Sequence, residues 1–125
     1  MLGSTKPLAT LAVQSLERAR KFYEGVLGMK ATPGHRDGIL LFETAGAPLL
    51  MYESRFAGTN QATAVTWTIT QGIDNLVRDL KAKGVTFEHY EFPGVTYDGD
   101  LHLIGSMKAA WFKDPDGNIH ALNDG

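Results

Sequence analysis

One pattern occurs twice in this chain: strand, helix, glycine, short strand. The second copy begins about 57 residues after the first. In the first copy, residues 8–14 alternate, with Leu11 and Val13 on one face and Thr10, Ala12 and Gln14 on the other. Ser15 stands at a helix N-cap position. Leu16, Ala19, Phe22, Tyr23, Val26 and Leu27 follow at helical spacing, and Gly28 supplies the stop. Residues 29–32 read as a short strand, and Pro33, Gly34, Asp37 and Gly38 punctuate a loop. Residues 39–43 and 48–53 read as two strands joined by a turn at Ala45, Gly46 and Ala47.

In the second copy, residues 64–70 form a strand with Val65, Trp67 and Ile69 on one face and Thr66 and Thr68 on the other. Ile73, Leu76, Val77 and Leu80 mark an amphipathic helix that Gly84 stops, and residues 85–90 give the next strand. Residues 91–106 contain Gly and Pro and read as a long irregular stretch. Residues 107–113 and 118–123 form a hairpin around Asp114-Pro115-Asp116-Gly117. The repeat predicts an α+β domain over residues 1–125, built from two βαβββ modules at about 8–55 and 63–123. One face of the curved, mixed sheet carries the helices, and the other is free to surround a cavity.

A chain of 125 residues favours one domain and buries roughly two-thirds of its unfolded surface. The net charge of −2 comes without a run of Lys or Arg, so nucleic acid is not an expected partner. The absence of cysteine excludes disulfides, thiolate metal sites and a Cys nucleophile, and fits a cytoplasmic location. Residues 1–8 do not read as a signal peptide, and no apolar run approaches the ~20 residues that span a bilayer, so no membrane is expected.

Two segments carry a family resemblance. Residues 16–29, LERARKFYEGVLGM, are similar to the L-x-R-x-x-x-F-Y-x-x-V-L-G-M helix of glyoxalase-type proteins, and residues 112–118, FKDPDGN, to their F-x-D-P-D-G-N hairpin. On these motifs the chain resembles the glyoxalase/bleomycin-resistance/extradiol dioxygenase (vicinal oxygen chelate) superfamily over nearly its whole length. The motifs speak for a fold rather than a reaction. The resemblance implies, for the metal enzymes of the family, up to four inward His, Glu or Gln ligands, one from the first and one from the last strand of each module. Carried over one at a time, those positions fall on Leu8, near Leu50, on Ala64 and on Ala121, none of which can coordinate a metal. The expectation is therefore no metal and no cofactor. The resemblance also implies a homodimer.

The cavity is expected to be lined by small and apolar side chains: Leu8, Thr10, Ala12, Leu50, Ala64, Thr66, Thr68, Ala110, Phe112, Ile119 and Ala121. Gln14, Tyr52 and Asn123 would supply directional hydrogen bonds. This lining follows from a four-residue turn that sets Lys113 opposite Asn118, Phe112 opposite Ile119, Trp111 opposite His120 and Ala110 opposite Ala121. Trp111 and His120 would then pair on the far face, with His120 a packed, hydrogen-bonded residue rather than a cavity group. The plainer reading is a collapsed cavity plugged by Phe56, Phe92 or Tyr97. Asp98, Asp100 and His102 in the long stretch form a second candidate group, able to do acid/base work if extended and unremarkable as a solvated turn. His35, Arg36, Arg55 and Phe56 are loop candidates for a rim. The expected function is a metal-free small-molecule-binding protein with a largely apolar ligand. The alternatives are a divalent-metal lyase, isomerase or dioxygenase using His102, Asp98 or His120 as a displaced ligand set, and a partner-binding module with no open cavity.

Overall fold

Ser15 opens the first helix as its sequence context requires: in extended backbone, its Oγ accepts the Arg18 N–H at 3.2 Å. α1 (Leu16–Arg20) passes directly into a π-helical stretch, Lys21–Val26. The Leu27 and Met29 amides reach back to the Phe22 and Tyr23 carbonyls, and Gly28 ends the helix at a φ of 70°. The computed structural model describes residues 1–33 and 37–125, so the rim candidates His35 and Arg36 lie outside the described residues.

The chain divides into two compact units. The first comprises residues 1–60 and 115–118, and the second residues 61–114 and 119–125. In the first, β1 (Thr10–Val13), β4 (Leu49–Glu53), β3 (Ile39–Phe42) and β2 (Ala31–Pro33) form one mixed sheet in the order β1-β4-β3-β2. Leu11, Val13, Met51 and Phe42 are buried on one face, together with Ala19 and Tyr23 of the helix. The rings of Tyr23 and Phe42 meet at 5.3 Å. Fully burying side chains of this size contributes roughly 2–3 kcal/mol each, which makes this face the core of the unit.

In the second unit, β5 (Thr63–Thr68) is followed by α2 (Ile73–Ala82), which buries Ile73, Val77 and Leu80. β6 (Phe87–Glu88), β7 (Thr96–Asp98), β8 (Leu101–Ile104), β9 (Met107–Lys113) and β10 (Ile119–Asn123) complete a second mixed sheet. Its order is β5-β10-β9-β8-β7, with β6 also paired to β9. The path β5-β10-β9-β6 thus runs first, last, last but one, second, as β1-β4-β3-β2 does in the first sheet. Among the described residues no helix is long and apolar enough to cross a membrane.

Two predicted features need correction. Residues 91–106 are not one irregular stretch, because β7 and β8 form a hairpin closed by Gly99 and Asp100. The β9–β10 hairpin is also displaced by one residue from the predicted pairing. Lys113 faces Ile119, Phe112 faces His120, Trp111 faces Ala121 and Ala110 faces Leu122. The loop between the strands has an extra residue because Asn118 is used elsewhere: its Nδ2 donates to the Ala12 carbonyl at 2.9 Å. A shift of one residue exchanges the faces of a strand. Ala110 and Phe112 therefore share the face of His120 rather than that of Ala121, and Trp111 moves to the face of Ala121.

Candidate functional site

Residues paired across strands share a face, as do alternate residues along each strand. One face of the second sheet accordingly carries Tyr97, His102, Ala109, Trp111, Ala121, Asn123, Thr66 and Thr68. The other carries Phe87, Ala110, Phe112, His120, Leu122, Val65 and Trp67. Ala64 is the extra residue of a bulge, between the Thr63–Ile119 and Val65–His120 pairs.

On the first of these faces lies a cleft of about 310 Å³, lined by Gln61, Ala62, Thr63, Tyr90, Phe92, Trp111 and Ile119. Its aromatic walls stand at steep angles. Tyr90 and Trp111 meet edge to face at 5.5 Å and 75°. Trp111 stands at 76° to His102, whose ring is parallel to Phe92 within 8°. The cleft is a corner of inclined rings rather than a parallel slot, and among the described residues no charged side chain lines it.

His102 lies fully buried behind these rings. Its Nε2 accepts the Tyr90 N–H at 2.9 Å, which puts the proton of the neutral ring on Nδ1. Burial lowers the His102 pKa and nearby His89 adds to the effect, while the carbonyls of Asp100 and Ala109 and the Asp100 carboxylate oppose it. Tyr97 Oη donates to the Tyr90 carbonyl at 2.6 Å. Asp100 binds His89 Nε2 at 2.8 Å and Lys81 Nζ at 2.9 Å, and these two partners hold its carboxyl below the usual range. Tyr90 is desolvated, and Glu88 adds to the rise in its phenol pKa.

Of the candidates read from the sequence, Ile119 lines the cleft, and Thr66, Thr68, Ala121 and Asn123 share its face. Ala110 and Phe112 lie on the opposite face. In the first unit, Thr10, Ala12, Leu50 and Tyr52 do share a face through β1–β4 pairing, away from buried Leu11 and Met51. Leu8 precedes the strand and is exposed. Gln14 borders an open polar groove of about 520 Å³ with Glu53, Ser54 and Arg55. The plug candidates fare differently: Phe92 lines the cleft, whereas Phe56 is exposed and lies under the Arg55 guanidinium, 4.9 Å from the ring centroid.

His120 is packed and hydrogen-bonded. Its Nδ1 accepts from Trp67 Nε1 at 3.0 Å, and its ring stacks on Phe112 at 4.8 Å, so the predicted Trp111–His120 pair is replaced by Trp67–His120 and Phe112–His120. Sequence reasoning missed Gln61, Ala62, Thr63, Tyr90 and Trp111 as cleft residues. The correct hairpin register would have turned Trp111 inward.

The family's metal sites can be tested on the donor set. The corresponding side chains, Leu8, Leu50, Ala64 and Ala121, offer no nitrogen or oxygen. A displaced set fares no better, because His102 lies on the face opposite both Asp98, across the β7–β8 hairpin, and His120. Among the described residues no three His, Asp or Glu side chains are placed to hold an ion. These residues do not fit the metal.

The model of the Glyoxalase/Bleomycin resistance protein/Dioxygenase superfamily matches residues 7–122, and the chain belongs to that superfamily. Solved structures with the same fold include lactoylglutathione lyase from Agrobacterium tumefaciens, at 16% identity and a TM-score of 0.70, covering 98% of this chain and 94% of that one. The fosfomycin resistance protein FosX from Listeria monocytogenes, complexed with Mn(II) and sulfate, matches at 18% identity and a TM-score of 0.71, covering 98% and 90%. An integron cassette protein from the mobile metagenome of V. cholerae matches at 22% identity and a TM-score of 0.64, covering 97% and 96%. Likeness at these identities shows the fold alone. No curated protein matches the sequence significantly.

Proposed function

We propose that this chain is a small-molecule-binding protein of the glyoxalase/bleomycin-resistance type, working without a metal ion and taking a largely apolar ligand in the aromatic cleft. The observation that carries the reading is a substitution of chemistry. Where the fold's metal enzymes need nitrogen and oxygen donors, this chain has Leu8, Leu50, Ala64 and Ala121, and in the second unit Tyr90, Phe92 and Trp111 gather around an uncharged hollow on the face of Ala121. Apolar walls with a few polar groups, here Gln61 and Thr63, are the usual make-up of a ligand site. The inclined rings can take a small aromatic group edge to face as well as an aliphatic one. The family resemblance supports a homodimer, and the absence of cysteine is compatible with a cytoplasmic location.

The test is a thermal-shift screen of uncharged apolar compounds on wild type and Trp111→Ala. A ligand at 100 times its Kd adds ~2.7 kcal/mol to wild type and much less to the variant. Equal shifts in both would move binding away from the cleft. Stoichiometric Mn, Fe, Ni or Zn retained through dialysis would overturn the metal-free reading and favour a lyase, isomerase or dioxygenase.

A further inference from the structure

An imidazole anchors the segment that walls the cleft, beside the Tyr97 hydroxyl on the Tyr90 carbonyl and the Asp100 carboxylate on His89. Tyr90 and Phe92 lie in residues 89–92, just beyond β6, outside any strand. The Tyr90 N–H makes its hydrogen bond to His102 Nε2, at 2.9 Å. The His102 ring also packs on Phe92 at 6.4 Å, on Trp111 at 4.7 Å and on Tyr97 at 5.0 Å. Three cleft-lining residues, from the 89–92 segment and β9, are thus set by a side chain of β8 that does not itself line the cleft.

This bond exists in only one protonation state. Neutral His102 presents a lone pair at Nε2, whereas the imidazolium has two donors and would set N–H against N–H. The surroundings give a buried cation little compensation. His89 and Tyr90 face it from the 89–92 segment, Tyr97 from β7, Ala109 and Trp111 from β9, and Asp100 from the β7–β8 turn. Among the described residues Asp100 is the one carboxylate that acts on His102, and His89 and Lys81 of α2 already occupy both its oxygens.

We propose that His102 is the positioning residue of the cleft, and that its protonation frees the 89–92 wall and weakens ligand binding. The inference rests on the cleft's being the ligand site. The direction follows from linkage. A His whose folded pKa lies below 6.5 holds its bonds above about pH 6.5 and loses them progressively as pH falls. The cleft is therefore set near neutrality and loosened by acid.

The test uses 5-fluoroindole, uncharged across the range, as probe in 19F NMR titrations at pH 7.5 and pH 5, with hydrogen exchange of the Tyr90 amide measured alongside. Wild type should bind several-fold more weakly at pH 5, and Tyr90 protection should fall by a similar factor. His102→Gln keeps an acceptor at every pH, so it should bind as wild type does at pH 7.5 and lose the pH dependence. His102→Leu should bind weakly throughout. A pH-independent wild type, a His102→Gln profile as steep as wild type, or Tyr90 protection unchanged while the His102 ring titrates would each overturn the proposal. Should 5-fluoroindole fail to bind at all, the ligand reading of the cleft is what fails, and the Tyr90 exchange profile still decides the role of His102.

Discussion

The Arg18 guanidinium is paired with the Asp116 carboxylate, joining the residue that follows Leu-Glu in the helix motif to the second Asp of the hairpin motif. The pair is asymmetric: Asp116's side chain is 1% exposed and Arg18's 48%. Asp116 also accepts the Gln14 N–H at 3.1 Å. Removing the arginine strands a buried carboxylate, whereas removing the carboxylate leaves a cation that water can solvate. Arg18→Met should therefore destabilise the protein by about 2 kcal/mol in urea unfolding, and adding Asp116→Asn should recover part of that loss. Additive costs in the double variant would show that the two side chains are not coupled.

Gly58 is required where it stands. Its φ is 81°, and an added Cβ would lie 2.6 Å from the Asp116 carbonyl oxygen. The left-handed backbone and the clash act together, and the obstructing atom is backbone, which cannot rotate away. Gly58→Ala should cost about 2 kcal/mol or more, read as a lowered urea midpoint with unchanged slope.

The fold was legible because local signals agreed with one another. Ser15 capped, Gly28 and Gly84 stopped, and the alternation in residues 8–14 put Leu11 and Val13 on the buried face. The site was harder to read because it depended on one register. Asp114-Pro115-Asp116-Gly117 announces a turn, but nothing local says that Asn118 is drawn away to the Ala12 carbonyl, lengthening the loop and inverting β9 against β10. That long-range bond decides whether Phe112 or Trp111 faces the cleft. The β7–β8 hairpin had a usable signal in Gly99, which takes a φ of 62° at the first position of a two-residue turn. The exposed Thr96, Tyr97 and Asp98 lacked the apolar alternation that marks a half-buried strand. Asp98, Asp100 and His102 are close in sequence yet divided by that hairpin, with Asp100 turned to Lys81 and His89 and His102 turned inward.

Tyr90 carries a buried hydroxyl with no hydrogen-bond partner among the described residues, and desolvation raises its phenol pKa. A donor buried without a partner costs about 1–3 kcal/mol. Tyr90→Phe keeps the ring against Trp111 and removes that cost. The variant should be more stable than wild type by about 1 kcal/mol, with a raised melting temperature. A loss of stability would mean that the hydroxyl is satisfied by water within the protein.

His120 makes the stability of the second unit depend on pH. Burial depresses its pKa to about 4, and the neutral ring accepts the Trp67 indole N–H through Nδ1. In the unfolded chain the same side chain titrates near 6.5. Between these values the unfolded state binds the extra proton, so stability rises with pH across the interval and is lost as pH falls from about 6.5 towards 4. A gap of this size corresponds to roughly 3 kcal/mol at its full extent. Carboxylates also titrate at the lower end, so the informative comparison is between wild type and His120→Gln, which keeps an acceptor for Trp67 but takes up no proton. Urea unfolding at pH 7 and pH 5.5 should show wild type losing about 1 kcal/mol more than the variant over that step. Equal losses would mean that His120 takes up its proton over the same pH range in the folded and the unfolded protein, and that burial does not depress its pKa.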